Sequence, residues 1–134
     1  MKLKVCGMKY QDNILAVADL QPDYLGFIFY EKSARYFQGK IGEISKSIKK
    51  VGVFVDEEIY TVIDLIKSHS LQAIQLHGNE SPAYCDELKS RHIEVIKVFS
   101  ILNSTIVPSL IVLPNSSNIL EVVISVIWLP SAKL

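Results

Sequence analysis

The dipeptide Cys6-Gly7 closes a short apolar run, Leu3 to Val5, and Lys9 follows shortly after. A free thiol ionises near pH ~8.5, and a helix N-terminus or a nearby cation draws that value toward neutrality, which makes a cysteine a base or a nucleophile. Lys9 and Arg35 are cations the chain offers for that task. Further polar residues stand at or just past the ends of later apolar runs: Ser33 and Arg35, Asp56, Gln75 with His77, and Lys97. Arg35 carries a planar fork of donors that matches a carboxylate better than a lysine does. Gln75 and His77 are two apart, so on one strand they face the same side. Each residue also has a plainer reading. Cys6 after apolar residues fits a buried thiol equally well, and Arg35 fits a solvated loop. His77 fits a hydrogen-bonded strand end, and Asp56 fits the start of a helix. Cys85, beside Tyr84 in a helical stretch, reads as core.

These residues share one site only if the elements bring them together. Leu3 to Val5 is the first expected strand. A helix follows, with Asp12 or Asn13 as its cap and Ile14, Leu15, Val17, Ala18 and Leu20 as its apolar face. Tyr24 to Phe29 is apolar almost throughout, as a parallel strand covered on both faces must be. The polar stretch Glu31 to Tyr36 reads as a loop, and Ile41 to Ile48 as a short amphipathic helix. Val51 to Val55 is the third strand, and Asp56-Glu57-Glu58 suit the first turn of a helix from Ile59 to Lys67. A fourth strand spans Ala73 to His77, Ser81 and Pro82 open the next helix, and Glu94 to Phe99 is the fifth strand. The first hundred residues therefore read as five βα units. Parallel α/β architectures do their chemistry at the carboxyl ends of such strands.

With 134 residues, 49% of them hydrophobic, the chain can build a real core. Fourteen basic and fourteen acidic residues cancel, and no basic cluster lies among spaced aromatics, which argues against nucleic acid as a partner. Two cysteines with no Cys-x-x-Cys or His-x-x-x-His pattern suggest free thiols and no metal site. No signal-peptide pattern opens the chain, so a cytoplasmic location is expected. The composition changes near Ile101. All six glycines lie before it, and only Glu121 and Lys133 carry charge after it. Ile119 to Leu129 reads as a β-rich or buried segment, too short for a membrane span.

Several stretches together carry a resemblance. Lys4-Val5-Cys6-Gly7-Met8, Gly26-Phe27-Ile28-Phe29 with Ser33-Ala34-Arg35-Tyr36, Lys50 to Val55, Gln75-Leu76-His77-Gly78 and Ile96-Lys97-Val98-Phe99 occur in this order. The chain from residue 1 to about 101 resembles the phosphoribosylanthranilate isomerases. That resemblance implies a (β/α)8 barrel, here an incomplete one of about five βα units in residues 1–100 followed by a divergent apolar tail in 101–134. It implies a cofactor-free Amadori rearrangement in tryptophan biosynthesis, converting N-(5-phosphoribosyl)anthranilate into 1-(2-carboxyphenylamino)-1-deoxyribulose 5-phosphate. Cys6 matches the family's general base and Arg35 its anthranilate-carboxylate clamp, with Gln75 and His77 as further substrate contacts. The family's acid is an aspartate after the sixth strand, and its phosphate loops are rich in glycine. Residues 101–134 hold neither residue type. An alternative is a catalytically inactive partial barrel that serves as a binding or assembly module. Five βα units would leave two open sheet edges, which predicts self-association.

Overall fold

The computed structural model describes residues 2–98 and the strand Ile124–Ile127. Five strands occur in the first part, β1 (Leu3–Cys6), β2 (Tyr24–Ile28), β3 (Lys49–Phe54), β4 (Ala73–Leu76) and β5 (Glu94–Lys97). Three helices connect them: α1 (Gln11–Ala18), α2 (Ile59–His69) and α3 (Pro82–Lys89). Every strand pair among the described residues is parallel, and the sheet order is β5-β4-β3-β2-β1-β6, where β6 is Ile124–Ile127. Consecutive strands of the first five lie side by side, so all crossovers run in one direction. With right-handed crossovers this places every helix on the same face. Barrels wind this way, whereas doubly wound sheets reverse their strand order.

Side-chain parity separates the two faces. Leu25, Phe27, Phe29, Phe54, Ile74 and Leu76 share one buried cluster with Ile14 of α1, Val62 of α2 and Leu88 of α3. The opposite parity supplies two clusters without helix residues, Cys6 with Ile28 and Val53, and Tyr24 with Val51 and Ala73. This second face corresponds to a barrel interior. All five residues of β2 are buried, which explains its continuous apolar run. Toward the amino ends of the strands, the Tyr24 hydroxyl donates to Glu94 Oε1 at 2.7 Å and Lys49 pairs with Glu94 at 2.6 Å. Burial and the Glu94 carboxylate push the Tyr24 phenol up to about 12.

Several expectations from the sequence need correction. Ile41 to Ile48 forms no helix. Gly39 and Gly42 weaken helix formation there, and Ser45 draws the chain into a turn by accepting from the Ile48 N–H at 3.0 Å. Ile41 and Ile44 still pack on the core, so the apolar spacing was real but its period misled. Helix α1 starts at Gln11 after Tyr10, with neither Asp12 nor Asn13 as its cap, and Leu15 and Leu20 are exposed. Asp56, Glu57 and Glu58 all precede α2, and Asp56 adopts a left-handed φ of 50°. Ser81 caps α3 as expected, accepting from the Tyr84 N–H at 3.2 Å with Pro82 in the first turn. β1 is not an edge of the sheet, because β6 pairs with it from Leu3↔Ile124 to Cys6↔Ile127. The outermost strands are β5 and β6. Phe99 and most of the tail lie outside the described residues.

Candidate active site

The carboxyl end of β1 sets the site. Cys6 is the last residue of β1 and points to the interior face, with 8% of its surface exposed. Gly7 then turns the chain with a φ of 84°, a conformation natural only to glycine. Its lack of a side chain has a second use. A Cβ there would stand 2.8 Å from Cδ and Nη1 of Arg35, so the arginine lies directly against the Gly7 backbone. Arg35 arrives from the loop after β2, where its own N–H donates to Ser33 Oγ at 3.2 Å. Its Nη1 is buried and has no hydrogen-bond partner among the described residues. A buried guanidinium nitrogen left unsatisfied is costly, and at the carboxyl end of β1 it marks a place for an anionic ligand.

Gln75 and His77 share the interior side as expected from their spacing, but their surroundings differ. Gln75 is buried at 6% exposure and accepts a 2.6 Å hydrogen bond from Lys4 Nζ. His77 follows the end of β4, is exposed at the mouth, and donates its backbone N–H to Phe54 O at 3.0 Å. Partial burial of the His77 ring and the Lys4 ammonium hold it below the usual histidine range, so near pH 7 it is neutral. A neutral imidazole can both donate and accept a hydrogen bond.

Other strand-end residues serve the scaffold. Lys9 Nζ donates to Ala34 O at 3.0 Å, tying the loop after β1 to the loop that carries Arg35. Lys97 has the parity of the helix-covered face, opposite Leu76, and its ammonium bonds Gly78 O and Glu80 Oε2. Asp56 is exposed, and its carboxylate accepts from the Asn79 N–H. This partner accounts for Asp56 without a catalytic role.

Two functional features were not assigned from sequence. Glu80, whose side chain is 2% exposed, accepts from the backbone N–H groups of Asp56 (3.0 Å) and Gly78 (3.2 Å) and from Lys97 (2.8 Å). One carboxylate thus bolts the loops after β3 and β4 to β5. Burial raises the Glu80 carboxyl, but Lys97 and these amides outweigh it and hold it below the usual range. Lys4 is wholly buried on the interior face. Its position two residues before Cys6 could have revealed this, since strand parity puts both side chains on one side. Among the described residues, no group of three or more histidine, cysteine or acidic side chains could hold a metal ion.

Comparison with known proteins agrees with this geometry. The family model for N-(5'-phosphoribosyl)anthranilate (PRA) isomerase matches residues 3–110, past the point near 101 where the resemblance in sequence motifs stops. The isomerase of Phocaeicola vulgatus is 41% identical over 101 residues, covering 75% of this chain and 49% of its own. That of Parabacteroides distasonis is 42% identical over 107 residues, covering 75% and 48%. The chain therefore spans about half the length of these relatives. Among solved structures, the Thermus thermophilus phosphoribosyl anthranilate isomerase superposes with a TM-score of 0.67 at 29% identity, over 76% of this chain and 53% of that one. A second isomerase, solved with reduced 1-(o-carboxyphenylamino)-1-deoxyribulose 5-phosphate, gives 0.62 at 33% identity, over 72% and 52%. In strand order, interior-face parity, sequence and superposition alike, this chain belongs to the N-(5'-phosphoribosyl)anthranilate isomerase family, as a partial barrel of that fold.

Proposed function

We propose that the chain acts on N-(5-phosphoribosyl)anthranilate, with Cys6 as general base and Arg35 as the clamp for the anthranilate carboxylate. The observation that carries this reading is the buried Nη1 of Arg35, without a hydrogen-bond partner among the described residues, against the backbone of Gly7, the residue after Cys6. A carboxylate there would complete the guanidinium's hydrogen bonds. In the rearrangement, opening of the ribose ring gives a Schiff base. The Cys6 sulfur then takes the proton from C2, and the resulting enamine collapses to the ketone of 1-(2-carboxyphenylamino)-1-deoxyribulose 5-phosphate. His77 at the mouth and Gln75 below it contact the substrate. This is a step of tryptophan biosynthesis, and we place it in the cytoplasm. Residues 1–100 form the working unit.

The test is the loss of substrate fluorescence with purified chain beside Cys6→Ala. Turnover that the substitution abolishes is the expected result, and equal rates for both chains would refute Cys6 as base.

The half-length match favours a second reading, a partial barrel that binds without turning over. Residues 101–134 contain no aspartate to act as the family's acid. In this reading the outer edge of β5 is the surface through which copies self-associate. Substrate binding without turnover, together with a mass above that of one chain in sedimentation, would select it over the first.

A further inference from the structure

The reaction scheme above uses Cys6 and Arg35 and leaves one buried ionisable group unexplained. Lys4 has no exposed surface, and among the described residues its ammonium meets one acceptor, the neutral Gln75 Oε1, at 2.6 Å. No ion pair to Lys4 occurs among the described residues. Burying an ammonium without a carboxylate is expensive, and an apolar side chain of the same length would fill the space at no such cost. The charge therefore has a use other than packing. Its location indicates what that use is. The point where a Cβ on Gly26 would sit lies 2.7 Å from Cys6 Sγ and 3.1 Å from Lys4 Nζ. The sulfur and the ammonium thus both lie close to the same side-chain-free spot on β2. Gly26 leaves the gap that permits this approach.

We infer that Lys4 is a positioning residue for proton abstraction: its buried ammonium places a positive charge close to the Cys6 sulfur that takes the proton. This rests on the reading of Cys6 as the base. An opposite charge in a site with little water favours a thiolate, and the interaction is strong because screening is weak there. Gln75 completes the arrangement by holding the ammonium in place from β4.

The experiment is alkylation of Cys6 by iodoacetamide at neutral pH, read by mass spectrometry in a chain carrying Cys85→Ala so that one thiol remains. With Lys4→Met, and again with Lys4→Gln, the rate should fall about tenfold, while the melting temperature stays level or rises. A lysine that serves only the structure gives the opposite pair, a lower melting temperature and faster alkylation as the buried sulfur opens to solvent, and that result overturns the inference. If neither variant folds, the parent chain with Arg35→Met serves instead. Its preference for iodoacetate over iodoacetamide should exceed that of free glutathione, and an equal preference overturns the inference. Slower alkylation in the Lys4 variants, with no turnover in the parent chain, supports the Lys4 assignment and refutes the isomerase reading.

Discussion

Replacing Gly26 by alanine adds one methyl group at the point where β1 and β2 meet beneath the candidate site. Its Cβ would fall 2.7 Å from Cys6 Sγ, 3.1 Å from Lys4 Nζ and 3.2 Å from the Cys6 Cα. The lysine end can move, but the Cys6 Cα belongs to the neighbouring strand and is held by the pairing Cys6↔Gly26. Overpacking of this kind costs ~1–3 kcal/mol, and the lower backbone entropy of alanine in the unfolded chain returns ~0.4–1 kcal/mol. The net loss is about 1–2 kcal/mol. With a urea m-value of ~1–3 kcal/mol/M, the unfolding midpoint should fall by roughly 0.3–2 M, read by circular dichroism on parent and variant together. The rate of Cys6 alkylation should change as well, because the thiol and the ammonium must both give way. A variant with the parent's midpoint and the parent's alkylation rate would show that Cys6 and Lys4 do not close over Gly26, and the described geometry would be wrong.

Glu80→Ala should cost about 2–3 kcal/mol in urea unfolding, since it strands the Lys97 ammonium and two backbone donors. Glu80→Gln keeps the acceptor oxygen and should lose less than the alanine variant. Gly7→Ala should destabilise by ~1–2 kcal/mol, the cost of a left-handed residue, and should displace Arg35, seen as a shift of its side-chain N–H resonances in NMR. Stability should fall on acidification. The carboxyls of Glu80 and Glu94 are depressed in the fold, so their contribution is complete above the unfolded carboxyl range of ~4.3 and is lost as pH drops through their folded values. Glu94 reaches this state because Lys49 and Tyr24 outweigh the effect of its burial. His69 and His77 act in the same direction. Burial depresses both, so their contribution is complete above ~6.5 and fades below it. Melting temperatures should hold level from pH 7.5 to about 6.5, decline below that as the two histidines gain protons, and decline again below about 4.3 as the carboxylates do; a flat profile from pH 7.5 to 3 would contradict these assignments.

The strands were legible because a parallel strand covered on both faces must be apolar nearly throughout, as Tyr24 to Ile28 is. The cap at Ser81 was legible because hydroxyl and proline stand side by side in the chain. Ile41 to Ile48 misled because apolar spacing reports burial, while two glycines and a serine turn decide the backbone. The acidic run at Asp56 looked like a helix start. Asp56 instead takes a left-handed turn whose carboxylate holds the Asn79 amide, a contact across 23 positions that no local pattern announces. Glu80 escaped notice for the same reason, as its partners Asp56 and Lys97 are distant in sequence. Lys4 escaped because a single lysine in a short strand reads as a solvent-facing residue until the parity of Cys6 is applied to it.

Arg35 and Cys6 as two sides of one anion-binding mouth is the claim on which the account depends. The most direct measurement is the affinity of this chain for reduced 1-(o-carboxyphenylamino)-1-deoxyribulose 5-phosphate by calorimetry, beside Arg35→Met. A lost charge-assisted pair is worth ~1.5–3 kcal/mol, so the account predicts saturable binding that weakens by roughly tenfold or more in the variant. Equal affinity for both chains would show that the carboxylate binds elsewhere and that the buried Nη1 of Arg35 is not a ligand site.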